Sequence, residues 1–247
     1  TGEFLIRAID ILLKISKAIQ NHKEKGGKYS HVGKKKKSES VTYATFDKEI
    51  EGHKLRTIIQ NNIYGVDINE EAIEITQLNL FLKLATSSKQ LPDVSKNLRV
   101  GNALIDDKSV DPKAFDWKQA FPEKFDIVIG NPPYVRVQNL PYKIIDWCKQ
   151  NKKSAYKRID VSLLFIELAF ELITPEGKIC FITSNQFFKA EYGRKIREML
   201  KGKLVFNIDF SDVVVFHGLS NYVSILFYDK IDKKHFQYSK VKKNIFK

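Results

Sequence analysis

The chain alternates between two hydrophobic rhythms. Leu5, Ala8, Ile9, Leu12, Ile15 and Ile19 recur every three or four positions, which puts them on one face of a core-facing helix from Thr1 to about Ile19. The rhythm then stops. Gly26-Gly27, Gly33, the lysine run 34–37 and Ser38-Glu39-Ser40 predict a mobile basic insertion over about 21–48. A short helix from about Asp47 to Gln60 leads into a strand ending at Asp67, and Ile75, Leu78, Leu82 and Ala85 form the stripe of the next helix. Leu98-Arg99-Val100 reads as a short strand, and the β-branched run Ile127 to Ile129 as a buried one. Asp160 opens a strongly amphipathic helix with Val161, Leu164, Phe165, Leu168, Ala169 and Leu172 on one face, ended by Pro175 to Gly177. Lys178 to Thr183 is the next strand and Phe188 to Leu200 a further helix. Leu204 to Phe210 and Tyr222 to Tyr228 are two β-rich runs joined by a loop, which predicts an antiparallel pair at one edge. Strands alternating with helices indicate an α/β chain.

Composition sets bounds on this picture. With 247 residues the chain can bury a full core and fits one domain of ordinary to large size. Its 43% hydrophobic and 29% charged residues are those of a globular protein. No apolar run approaches the roughly 20 residues that span a bilayer, and no signal-peptide pattern opens the chain, so a cytoplasmic protein without a membrane partner is expected. Cys148 and Cys180 show no metal-ligand spacing; free thiols in a reducing compartment, and no metal, are expected. The net charge of +13 favours a polyanionic partner, although solvated surface lysine gives the same balance. The chain begins with Thr1 and its only Met is Met199, which suggests a fragment or processed protein.

Candidate chemistry gathers where strands end. The run Phe125-Asp126-Ile127-Val128-Ile129-Gly130 meets Asn131-Pro132-Pro133-Tyr134, and two prolines can neither donate to a sheet ladder nor continue it. The chain must leave the sheet at Asn131. An amide, a proline carbonyl and an aromatic ring are thereby held on a stiff turn, at the end of a parallel sheet where ligands bind. An ordinary strand-end turn would use the same residues. Asp67 closes the strand in Ile63-Tyr64-Gly65-Val66-Asp67-Ile68-Asn69. An acid there can accept hydrogen bonds from both hydroxyls of a ribose, with Ile68 against a purine face. The competing role is a helix N-cap, for which Asn69 is better placed.

In combination and order, these signals resemble the S-adenosylmethionine-dependent N6-adenine methyltransferases of DNA that carry an NPPY catalytic loop. The large enzymes of restriction–modification systems are the nearest form, including those fused to an endonuclease. The resemblance runs from residue 1 to about residue 229. It implies a Rossmann-like methyltransferase fold: a mostly parallel twisted sheet with an antiparallel edge strand and helices on both faces. It makes Thr1-Gly2-Glu3-Phe4 the tail of a glycine-rich cofactor loop, with Thr1, Gly2 and Phe4 beside S-adenosylmethionine. It places Asp67, Ile68, Asn102 and Ala103 on the adenosine half, with Asn102 standing where the family often has Asp; a plain turn residue is the equal alternative for Asn102. Phe165 matches a position near the cofactor adenine, although core packing is the plainer explanation for a phenylalanine on such a stripe. Phe216 matches the aromatic that stacks on a flipped base, together with Tyr134; a lid-packing role is its plainer alternative. The residues from 134 to 158 interleave cations with rings, as contacts to nucleic acid do and as a surface cover would. The family's order places a recognition domain beyond residue 247, with 230–247 as a basic tail leading to it.

An adenine amino nitrogen is a poor nucleophile because its lone pair is delocalised into the ring. Acceptance of its two N–H bonds by the Asn131 amide oxygen and the Pro132 carbonyl would free that lone pair for the sulfonium methyl. This is positioning and preorganised electrostatics, with no general base or metal required. Double-stranded DNA is the expected partner, with a recognition domain or subunit and an endonuclease domain outside this segment. A methyltransferase acting on RNA or on a protein glutamine is the rival within enzymes; a non-catalytic DNA-binding subunit is the rival of another class. If Thr1-Gly2 is the end of the glycine loop, residues 1–247 should bind S-adenosylmethionine weakly unless the preceding segment is supplied.

Overall fold

The computed structural model describes residues 3–26, 52–85, 93–133, 140–215 and 222–242. Residues 27–48 of the expected insertion, Thr1, Gly2, Tyr134 and Phe216 lie outside the described residues, whereas 21–26 of it are helical. The chain divides into two units, Thr1–Ala103 and Leu104–Lys247.

In the first unit, α1 (Glu3–Gly26) runs past its expected end, and α2 covers 52–62. Then come β1 (Gly65–Asp67), α3 (Glu70–Ala85) and β2 (Leu98–Val100). β1 and β2 pair in parallel, with Asp67 opposite Val100. Ile9 of α1, Leu55 and Ile59 of α2, and Ile73, Leu80 and Leu84 of α3 form one buried cluster with Leu98. Asn97 is buried before β2, where its Nδ2 donates to Gln60 O at 2.8 Å and Ile63 O at 3.0 Å. Those two bonds tie the end of α2 to the start of β2.

The stripe expected to seat α3 is corrected by the structure. Ile75, Leu78 and Leu82 are exposed, whereas Ile73, Thr76, Leu80 and Leu84 are buried. Both sets recur at helical spacing, so the helix is apolar on two sides and periodicity alone selects neither.

The second unit contains α4 (Trp117–Ala120), β3 (Phe125–Gly130), α5 (Tyr142–Asn151), α6 (Val161–Leu172) and β4 (Ile173–Ser184). After two 3-10 turns, Gln186–Phe188 and Glu191–Gly193, come α7 (Arg194–Met199), β5 (Leu204–Asp209), β6 (Val223–Asp229) and β7 (Gln237–Lys240). The sheet order is β3-β4-β6-β5-β7. β3 and β4 are parallel, β6 runs antiparallel to both β4 and β5, and β7 is parallel to β5.

Three expectations change here. The antiparallel strand, β6, is inserted between β4 and β5 at the centre of the five-stranded sheet. α6 stops at Leu172, and Pro175 to Gly177 lie within β4, where the pairing jumps from Phe125–Ile173 to Ile127–Lys178. That irregularity admits a proline because it interrupts the ladder. The expected basic tail contributes β7, so the fold continues past residue 229.

α6 is apolar on more than one side because it lies between two clusters. Leu163, Ile166 and Ala169 pack with Ile179 and Phe181 of β4 and Leu226 and Tyr228 of β6. Leu164 packs with Ile105, Ile159 and Cys148 of α5. Burial holds Cys148 as a thiol, its pKa pushed up to about 11. α6 and α7 cover the Ile179 face of the sheet; on the opposite face Ile127 keeps 64% of its surface exposed.

Candidate functional site

In the second unit the site is built at the carboxyl ends of β3 and β4. Gly130 ends β3 opposite Phe181 of β4. A Cβ on Gly130 would approach the Phe181 ring to 3.2 Å, so glycine lets that ring close over the strand end. Beyond it, Pro132 is buried while Asn131 and Pro133 are exposed. The buried proline anchors the turn, and the Asn131 amide is left on the surface. Phe165 is half-buried in the cluster that holds Phe181 and Val128, which is the core-packing placement weighed from its stripe. Asp160 caps α6 by accepting from Ser162 N at 3.0 Å and Ser162 Oγ at 2.7 Å.

A polar junction at the end of β4 was not anticipated from the sequence. Asn185 Nδ2 lies 3.0 Å from Asp209 Oδ1, 3.1 Å from Ser211 Oγ and 3.0 Å from Ser224 Oγ. The Asn185 N–H donates to Tyr222 O at 2.9 Å. Tyr238 of β7 donates its hydroxyl to Asp209 Oδ2 at 2.7 Å. Burial raises the pKa of Asp209, but bonds from Ser211 and Tyr238 outweigh it and hold the carboxyl below its usual value. One asparagine thus joins the ends of β4 and β5 to the start of β6. The sequence signal is a polar Ser-Asn pair closing a buried strand; its partners are 24 to 39 residues away.

In the first unit, Asp67 and Asn102 both lie at the carboxyl ends of the parallel β1–β2 pair. Gly101 N donates to Asp67 O at 2.9 Å. Asp67 is half-buried and its Oδ1 accepts from Asn69 N at 2.9 Å, while Asn69 Oδ1 accepts from Glu71 N at 2.9 Å. Asn69 therefore caps α3, and Asp67 is the oriented acid at the strand end. Ile68 is 51% exposed beside it, and Asn102 and Ala103 are half-buried. A carboxylate, an exposed aliphatic side chain and an amide on one strand edge suit a ribose and a purine. Phe4 is exposed in the first turn of α1. The structure thus brings Asp67, Ile68, Asn102 and Ala103 together in one unit and Asn131, Pro132, Pro133 and Phe165 in the other.

The fold is that of class I S-adenosylmethionine-dependent methyltransferases. A crystal structure from Listeria monocytogenes described by that class superposes with a TM-score of 0.51 at 16% identity, covering 81% of this chain and 63% of that one. More specifically, residues 61–216 match the Eco57I restriction-modification methylase model, and the chain belongs to that family. The type II restriction enzyme and methyltransferase RM.Eco57I of Escherichia coli is 30% identical over 267 aligned positions, covering 98% of this chain and 25% of the relative. The adenine-specific methyltransferase PglX of Streptomyces coelicolor is 27% identical over 183 positions, covering 59% of this chain and 15% of that protein. The chain spans a quarter or less of these two relatives.

Proposed function

We propose that this chain is the catalytic part of a site-specific DNA adenine-N6 methyltransferase in a restriction–modification system. The observation that carries the reading is the turn at the end of β3, with Asn131 exposed and Pro132 buried. Membership of the Eco57I family and the named activities of the two relatives support it.

Asp67, Ile68, Asn102 and Ala103 suit the adenosine half of S-adenosylmethionine, with Thr1, Gly2 and Phe4 assigned to its methionine half. When bound, the cofactor supplies an electrophilic methyl group on a sulfonium. Asn131 Oδ1 and the Pro132 carbonyl accept hydrogen bonds from the two N–H groups of the target amino group and orient its lone pair, and the proton that the methylated nitrogen then releases passes to water and not to an acid or base of the chain. Tyr134 and Phe216 replace the stacking that the base loses on leaving the duplex, at roughly 1–3 kcal/mol per ring. Recognition of the sequence, and cleavage, are assigned to other parts of such a protein or to its partner subunits. Among the described residues no helix is long and apolar enough to cross a membrane.

The test is Asn131→Ala in the intact parent protein, followed by single-turnover transfer of labelled methyl to duplex DNA. Loss of an acceptor that acts in the transition state should slow transfer by about 100-fold or more while cofactor affinity holds. Undiminished transfer would remove Asn131 from the mechanism.

A further inference from the structure

We propose that the loop at 152–160 and the turn after β4 form a contact surface for the phosphodiester backbone of duplex DNA beside the target base. This rests on the reading of the chain as a DNA methyltransferase.

Position is the first argument. β3 and β4 are parallel neighbours, so the segment that follows Ser184 leaves the sheet at the same end as Asn131. The loop joins that segment there. Lys157 Nζ meets Glu191 Oε1 at 3.2 Å, Arg194 Nη2 donates to the Tyr156 hydroxyl at 2.7 Å, and the Arg158 guanidinium lies 4.6 Å from the centre of the Tyr192 ring.

The loop is also held rigidly. The backbone N–H groups of Lys153 and Ser154 donate to Glu167 at 3.0 Å and 2.8 Å, and Lys152 Nζ reaches Glu171 at 3.1 Å. Ile159 is buried, and Asp160 caps α6. Between these anchors Lys157 adopts φ 56°, and it is the non-glycine residue with positive φ among the described residues. A lysine in the left-handed region costs on the order of 1 kcal/mol, which glycine would avoid. The anchors on either side hold it there with its side chain exposed.

Charge supplies the partner. Tyr156 has Arg194 4.9 Å and Lys157 5.6 Å from its ring centre, Arg158 is exposed beside Lys157 in the loop, and Lys189 is exposed in the turn that carries Glu191. Glu191 and Glu198 lie among these cations: Arg194 approaches them to 3.7 Å and 4.0 Å, and Lys195 meets Glu198 at 3.4 Å. Both acids are about half exposed and are outnumbered by the cations. They hold the basic side chains in place in the free protein, and phosphate oxygens compete for the same donors. Fixed cations over aromatic rings at the mouth of a base-binding end suit a polyanion followed along its backbone.

The experiment uses the full-length parent protein and a duplex containing its target site, with affinity measured by fluorescence anisotropy across a salt series. Lys157→Gly removes the cation at a position whose backbone favours glycine, so the fold is retained; Lys189→Ala is the second variant and Lys118→Ala, on exposed α4, the control of equal charge. Each of the first two should weaken binding about threefold to tenfold at low salt and reduce the slope of log K against log salt by about one. Turnover at saturating DNA and cofactor affinity should be unchanged, and the control should keep the wild-type slope. Wild-type slopes in both Lys157→Gly and Lys189→Ala, with DNA methylation intact, overturn the proposal alone. A wild-type protein that fails to methylate DNA overturns the functional reading and this proposal with it.

Discussion

Asn185 shows how much one side chain can carry. Its amide reaches Asp209, Ser211 and Ser224, so removing it leaves a buried carboxylate with fewer donors. An orphaned buried acceptor costs about 1–3 kcal/mol, and Asn185→Ala should lower stability by that order in urea unfolding. The same change should raise the pKa of Asp209, readable by NMR titration; an unshifted carboxyl would mean that Ser211 and Tyr238 suffice. At this scale the sequence is informative for residues whose role is local. Asn131 is set by the prolines that follow it and Asp67 by the strand that precedes it. Asn185 was missed because its meaning depends on oxygens brought to it from β5 and β6.

Elements add constraints of their own. The turn Glu191–Gly193 packs so closely that a Cβ on Gly193 would lie 2.0 Å from Phe187 O. Arg197 Nη1 also donates to that oxygen at 2.6 Å and to Ala190 O at 2.7 Å, so the turn has little room to shift. Gly193→Ala should therefore cost about 3 kcal/mol, and an unchanged melting temperature would contradict this packing. Asp229 closes β6 across from Lys178 of β4. Its burial raises the pKa, but bonds from Lys178 at 2.8 Å, the Ile231 N–H and Lys233 prevail and lower it to about 2. A depressed acid stabilises the fold fully above its unfolded value, near 4. Its contribution is lost as pH falls toward 2. Asp229→Asn should flatten the acid limb of the stability profile between those values, and an unaltered limb would place the acid sensitivity elsewhere. The strands were legible because β-branched runs between turn residues leave few alternatives. α3 and the join of α6 to β4 were not, since an all-round apolar helix hides its buried side and a bulge can accept Pro175.

Across the whole chain, the two units have unequal means of stabilisation. The first has a parallel pair of three-residue strands backed by helices, and the second a five-stranded sheet. Two short strands are marginal without packing, so hydrogen exchange should open β1 and β2 at a lower free energy than the central strands β4 and β6. Equal protection in both units would show that they unfold together. The strand order also sets a schedule for a chain emerging from a ribosome. β4 is complete at Ser184, but its antiparallel partner ends at Asp229, and the outer neighbour of β5 ends at Lys240. At roughly 5–20 residues per second, the nascent β4 waits seconds for β6, with its backbone edge open to other chains. Slow decoding of codons between β4 and β6 would prolong that exposure and increase aggregation during synthesis without altering a single native contact.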